Sequence, residues 1–192
     1  KNDHLYICEE YDGLSTIMIA NPYYPVSTES KPLNYGDYEL EVSNDHIYLT
    51  DEDSGLKIYK LENDSLRFLS DKETQGQPRN LDIAGNYAYI ADGYNGLAII
   101  DITTPGKDED DSIPYYINVN GNSYDVDIAG QYAYLLTSEG LAIIDISEPK
   151  YAHLLSYNYF SYVGWNIEIV GNYAYIAAIN DGLLVINISD PI

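Results

Sequence analysis

The chain has 192 residues, 45% of them hydrophobic and 21% charged, a composition too apolar for disorder and sufficient for one sizeable core. No apolar run approaches the ~20 residues of a membrane helix, so the chain carries no sign of membrane insertion. Nine basic residues against 31 acidic ones leave a formal charge of -22, which argues against nucleic acid or anionic lipid as partners and favours cations, cationic proteins or neutral sugars.

The same acidity also serves simply to keep an extracellular protein soluble. Residue 1 is Lys rather than Met, which reads as a processed or trimmed chain. The first predicted strand, His4 to Cys8, holds the single cysteine, so the chain can form no internal disulfide and no Cys-based metal site. A second apolar run follows Gly13 and ends at Ile19, and the pair recurs from His46 to Leu61.

Three stronger copies follow. Asn86-Tyr-Ala-Tyr-Ile-Ala leads to Gly96-Leu-Ala-Ile-Ile-Asp-Ile, and Gln131-Tyr-Ala-Tyr-Leu-Leu to Gly140-Leu-Ala-Ile-Ile-Asp-Ile. Asn172-Tyr-Ala-Tyr-Ile-Ala then leads to Gly182-Leu-Leu-Val-Ile-Asn-Ile. The tyrosine marker (Tyr6, Tyr48, Tyr89, Tyr134, Tyr175) steps by 42, 41, 45 and 41 residues, and the glycine marker (Gly13, Gly55, Gly96, Gly140, Gly182) by 42, 41, 44 and 42. Two independent markers with one period identify a repeat.

Within a full unit four runs alternate with turn residues, as in Asn80 to Ala84, Tyr87 to Ala91, Leu97 to Ile102 and Pro114 to Val119; they are rich in Ile, Val, Leu and Tyr and read as strands A to D. Gly85-Asn86, Gly130-Gln131 and Gly171-Asn172 fall between A and B, where a tight hairpin needs positive φ. Strands B and C are apolar on both faces, so each sheet must stand between two neighbours. The expected fold class is therefore all-β: a β-propeller of repeated four-stranded antiparallel blades, over residues 1–192 as one domain or as a piece of a larger propeller.

The runs Gly-Asn-Tyr-Ala-Tyr-Ile-Ala and Gly-Leu-Ala-Ile-Ile-Asp-Ile-Ser/Thr-x-Pro resemble the LVIVD repeat family of bacterial and archaeal cell-surface propeller proteins. The resemblance spans nearly the whole chain and is strongest in the last three copies. In the first two, Met18 and Lys60 replace the aspartate of Asp101 and Asp145, and Asp45-His46 replaces Gly-Asn. What the resemblance implies is a place outside the cytoplasm and a role in adhesion or interaction, with no general enzymatic activity.

The count of predicted strands is three, three sets of four, and three, or eighteen; five complete blades need twenty. Two outcomes follow: an imperfectly closed five-bladed ring, or an open arc belonging to a longer chain, whose free edges promote self-association.

Aligning the copies at strand A places Tyr38, Arg79, Tyr124 and Trp165 at equivalent positions around the mouth of the channel. There, aromatic rings and a cation suit sugar faces or cationic groups; the bland alternative is packing between blades. The other side of strand A carries Glu41, Asp82, Asp127 and Glu168 at equivalent positions, a ring of acids whose repulsion raises their pKa values or recruits a hard cation such as Ca²⁺. Here the alternative is that each carboxylate accepts backbone N–H groups or faces channel water.

The B–C loops are acidic, but Asp51-x-Asp53-x-Gly55 lacks the downstream glutamate of a calcium loop, and Asp108-Glu-Asp-Asp111 reads as a solvated loop. Of the three histidines, His4, His46 and His153, two hold matching repeat positions just ahead of strand B, where a turn role is expected, and Asn63 and Asn187 begin Asn-x-Ser sequences. No nucleophile elbow, phosphate loop or dinucleotide fingerprint occurs, so no catalytic residue is assigned. The expected function is non-enzymatic recognition of a protein or glycan at the cell surface. Two alternatives are an assembly module joining through exposed blade edges and a glycoside hydrolase using axial carboxylates.

Overall fold

The computed structural model describes residues 3–9, 13–33, 39–62, 65–106, 114–160, 164–179 and 181–190. Among the described residues, eighteen strands form five antiparallel sheets. The first holds β1 (His4–Glu9), β2 (Gly13–Met18) and β3 (Val26–Lys31). The second holds β4 (Leu40–Ser43), β5 (His46–Asp51), β6 (Gly55–Glu62) and β7 (Ser65–Lys72). The third holds β8 (Asn80–Ala84), β9 (Tyr87–Ala91), β10 (Leu97–Asp101) and β11 (Tyr115–Ile117). The fourth holds β12 (Ser123–Ala129), β13 (Tyr132–Thr137), β14 (Gly140–Asp145) and β15 (His153–Tyr159), and the last β16 (Gly164–Val170), β17 (Tyr173–Ala178) and β18 (Gly182–Asn187).

Each sheet is a meander in chain order, and β4, β8, β12 and β16 lie side by side in succession. Strand A is therefore the inner edge of each blade. The predicted strands agree with the structure except at their ends: the fourth strand of the third blade shrinks from Pro114–Val119 to Tyr115–Ile117.

The core lies between sheets. One face of the third sheet (Ala88, Ile90, Ala98, Ile100) packs on Tyr48, Leu56 and Ile58 of the second. Its other face (Tyr89, Ala91, Leu97, Ile99) packs on Ala133, Leu135, Ala142 and Ile144 of the fourth. Tyr134, Leu136, Leu141 and Ile143 then pack on Ala174 and Ile176 of the last. Burying each such Leu or Ile contributes about 2 kcal/mol, and this double-sided burial explains why strands B and C show no polar alternation.

The glycine marker has a steric cause. A Cβ on Gly96, whose φ is 77°, would stand 2.3 Å from the Ile117 carbonyl oxygen on strand D. At Gly182 a Cβ would meet nothing within 4 Å, because no strand D flanks β18 among the described residues. Between A and B of the second blade, Asn44 (φ 56°) takes the left-handed place of Gly85 (φ 60°). Asn tolerates that region through its short polar side chain, so the equivalence falls on Asn44 rather than on Asp45.

Candidate ligand-binding face

The D–A and B–C connections share one end of the arc. Two β-bulges shape it: in the β12–β13 pairing the register shifts between Ser123 and Asp125, and in β16–β17 between Gly164 and Asn166. The extra residues are Tyr124 and Trp165. A bulge turns its unpaired residue out of the ladder, and here it delivers both rings to the same end of adjacent blades. Arg79 stands just ahead of β8, with its N–H bonded to the Ala91 carbonyl at 2.9 Å.

These three side chains form a continuous line across three blades. The Arg79 guanidinium carbon is 5.5 Å from the centre of the Tyr124 ring, within cation–π range. The Tyr124 and Trp165 ring centres are 5.1 Å apart at an interplanar angle of 53°. Trp165 is 55% exposed, while Arg79 and Tyr124 are half-buried. Arg79 Nε is buried with no hydrogen-bond partner among the described residues. Tyr38 lies outside the described residues.

A second aromatic group, which sequence reasoning missed, sits at the same end. The Tyr157 and Tyr159 ring centres are 4.4 Å apart. Asn120 bridges them: its side-chain N–H donates to the Tyr159 hydroxyl at 2.8 Å, and its carbonyl accepts from Tyr157 at 2.9 Å. A cleft of about 460 Å³ lined by Ser138, Glu139, Tyr159 and Phe160 adjoins them. The signal available in the sequence was the Tyr157-x-Tyr159 alternation in a strand D; Tyr157 packs against the core between the third and fourth sheets, while Tyr159 is 64% exposed.

Glu41, Asp82, Asp127 and Glu168 all line a single axial cleft of about 240 Å³, together with Glu39 and Asp125. Burial, then repulsion from Asp82 and Glu39, pushes the Glu41 carboxyl above its ordinary range. Asp127 is raised by burial against the Ile169 N–H bond, with Asp82 and Glu168 adding repulsion. Asp125, which no sequence argument singled out, is raised furthest, to about 7, chiefly by burial.

Three of these carboxylates bind backbone across blade boundaries. Asp82 accepts the N–H of Ile128 at 2.8 Å, Asp125 that of Ile167 at 2.6 Å, and Asp127 that of Ile169. Among the described residues, no group of three or more His, Cys, Asp or Glu side chains converges in a way that could hold a metal ion. In the B–C loop of the second blade, Asp51 accepts the N–H groups of Asp53 and Ser54 and pairs with Lys57, so that carboxylate serves its own turn. His46 pairs with Asp45 at 2.9 Å, in keeping with a turn role. The acidic run at 108–111 and Asn63 lie outside the described residues.

Stacked, radially arranged meanders of three or four strands, with strand A innermost where it is present, define a β-propeller. The sequence signature of the LVIVD repeat matches residues 75–107, 120–158 and 163–191, more than half of the chain, and the chain belongs to that repeat family. No curated protein matches it significantly. Among solved structures it is similar to the computationally designed Ika8 protein at 13% identity and a TM-score of 0.73, covering 97% of this chain and 56% of that one. It is also similar to the designed Ika4 protein (14%, TM-score 0.61, 78% and 89%). A third similar structure is the dihydro-heme d1 dehydrogenase NirN in complex with DHE (15%, TM-score 0.65, 98% and 43%). At such identities the likeness concerns the fold alone. The chain spans little more than half the length of the Ika8 protein.

Proposed function

We propose that this chain is a non-enzymatic recognition propeller acting outside the cytoplasm, which takes a protein or glycan ligand on the end bearing Arg79, Tyr124 and Trp165. The observation that carries this reading is the unbroken line of a guanidinium and two rings over three adjacent blades, ending in a tryptophan more than half exposed. Exposed aromatic faces backed by a cation stack on sugar rings or planar side chains at low entropic cost, and Trp, Tyr and Arg are the residue types that dominate binding hot spots. The Tyr157–Tyr159 pair widens the same face with adaptable hydroxyls.

The net charge of -22 steers the ligand towards neutral or cationic chemistry. The carboxylates near the axis serve cohesion in this reading: those of Asp82, Asp125 and Asp127 are engaged by N–H groups of neighbouring blades rather than turned free towards a substrate. A place at the cell surface is part of this reading, and the LVIVD repeat signature is what supports it.

The test is capture from a glycan array and from a panel of extracellular proteins, repeated with Arg79→Ala, Tyr124→Ala and Trp165→Ala. Binding that weakens at least tenfold in each variant supports the proposal. Capture that is unchanged in all three removes this line from the site.

A further inference from the structure

Tyr94, in the B–C loop of the third blade, is 78% exposed. The third sheet is packed on both faces by its neighbours, so the exposure of this ring is a property of the loop itself. The loop is tightly made. Asp92 N–H donates to the Gly96 carbonyl at 2.9 Å, Asn95 N–H to the Asp92 carbonyl at 3.1 Å, and Gly96 N–H to the Gly93 carbonyl at 3.3 Å.

It is also clamped from both sides. Asp92 is fully buried, and its Oδ2 accepts the Gly76 N–H at 2.9 Å, which ties the loop to the D–A connection before it. The Gly93 carbonyl accepts the Ser123 N–H at 2.9 Å, which ties it to the connection after it. With φ at 60°, Gly93 fits where a Cβ would stand 3.1 Å from the Gln77 carbonyl oxygen and 3.3 Å from Asn122 Oδ1. Two residues further on, those same two segments carry Arg79 and Tyr124. Tyr94 therefore rises from a wedge set between the two stretches of chain that build the aromatic–cation line.

The surroundings define what fits the ring. A side chain this exposed at a loop tip is a projection, and a projection is bound by a surface that closes round it. A sugar ring can stack on one flat face, whereas a folded protein offers a concavity. Exposed carboxylates stand at the same end of the arc, Asp53 and Glu73 on the side of the second blade and Glu139 on the side of the fourth. The Arg79 guanidinium is turned over the Tyr124 ring.

We infer that Tyr94 is the central anchor of the recognition face and that its partner is a basic protein, which takes the ring into an apolar pocket rimmed by Lys or Arg. The inference rests on the recognition reading above and narrows its ligand from protein or glycan to protein. A tyrosine has only two side-chain torsions to fix, and a loop already clamped loses little freedom on docking, so most of the contact energy appears as affinity. Tyr is among the residue types that form hot spots, and the acids around it set charge complementarity and speed the encounter.

The test uses two probes, an array of purified extracellular proteins of known isoelectric point and a glycan array. Each is read with wild type, Tyr94→Ala, Tyr94→Phe and Trp165→Ala. Thermal melting of the Tyr94 variants is expected to match wild type, because the ring touches little of the fold. Capture is expected among basic proteins, at least about tenfold weaker with Tyr94→Ala and within about threefold of wild type with Tyr94→Phe. Affinity is expected to fall at least about fivefold as salt rises from about 50 to about 300 mM. Protein capture lost in Trp165→Ala but unchanged in Tyr94→Ala overturns the inference while leaving the recognition face in place. Capture confined to glycans or to acidic proteins, or indifferent to salt, overturns the basic partner. Capture unchanged in both alanine variants removes the recognition face itself.

Discussion

The Asp125 carboxylate, on the inner strand of the fourth blade, accepts the backbone N–H of Ile167 on the inner strand of the fifth at 2.6 Å, and that of its own neighbour Val126 at 2.8 Å. The residue is only 2% exposed. Each buried donor left without a partner costs roughly 1–3 kcal/mol. Asp125→Ala removes the acceptor for two such donors, and the expected loss is about 2–4 kcal/mol in urea unfolding. A loss below about 0.5 kcal/mol would show that the link between the blades is made elsewhere.

The same residue gives stability an unusual pH dependence. Burial lifts its pKa from the ordinary 3.8 to about 7 in the fold, so the folded state holds a proton that the unfolded chain releases. Its contribution is fully present below about pH 4 and is lost as pH rises through 7. Glu41 and Asp127 are shifted in the same direction. Asp51 is shifted downwards against burial by hydrogen bonds from Lys57 and Ser54, and Asp145 by those from Ser147, and their contributions are lost as pH falls through their lowered pKa values. Thermal melting is therefore expected to give a higher Tm at pH 5.5 than at pH 8. Asp125→Asn, which cannot titrate, should flatten that slope at some cost in overall stability. An equally steep slope in the variant would assign the effect to another group.

The axial acids carry a separate expectation for Ca²⁺. With Asp82, Asp125 and Asp127 each already accepting a backbone N–H group, few oxygen ligands remain for an ion that takes six to eight. Millimolar Ca²⁺ is expected to raise Tm no more than the same ionic strength of Mg²⁺. A saturable rise specific to Ca²⁺, abolished by Glu41→Gln with Glu168→Gln, would instead make the cleft a cation site.

Much of this was legible in the sequence because repetition turns alignment into geometry. The glycine and tyrosine markers locate five sheets, and equivalence at strand A brings Arg79, Tyr124 and Trp165 into one line without any knowledge of coordinates. The rest depends on register. That Tyr124 and Trp165 are bulged follows from pairing shifts a repeat alignment does not see. The reach of Asp125 to Ile167 depends on how far one inner strand is staggered along the next. The Tyr157–Tyr159 pair escaped because only Tyr157 has an aromatic counterpart, Tyr116 in the third blade, whereas Tyr159 has none for alignment to compare.

The recurring glycine offers a sharp internal comparison. Gly96 and Gly182 occupy equivalent places with nearly equal φ, 77° and 75°, but only at Gly96 would a Cβ collide with a carbonyl of strand D, at 2.3 Å. The left-handed backbone costs an L-residue roughly 1–2 kcal/mol at either site, and the clash adds to that only at Gly96. Gly96→Ala is expected to destabilise by at least about 2 kcal/mol more than Gly182→Ala in urea titration. Equal losses would mean that backbone conformation alone sets the need for glycine.

Trp165 is the chain's only tryptophan, so its fluorescence reports directly on the proposed face. At 55% exposure it is expected to emit at long wavelength and to be quenched efficiently by neutral acrylamide. The charged quenchers separate two local fields. The chain's net charge of -22 repels iodide and attracts caesium, whereas Arg79, two steps along the same line, draws iodide in. Net charge acts over the whole surface and a single half-buried guanidinium acts locally, so caesium is expected to quench more strongly at low ionic strength. That preference should widen in Arg79→Ala and shrink in 0.5 M salt, where screening shortens the reach of both fields. A bound ligand that covers the ring should lower acrylamide quenching severalfold and shift emission to shorter wavelength. A ligand that binds the protein while leaving Trp165 equally open to acrylamide must sit on another part of the propeller.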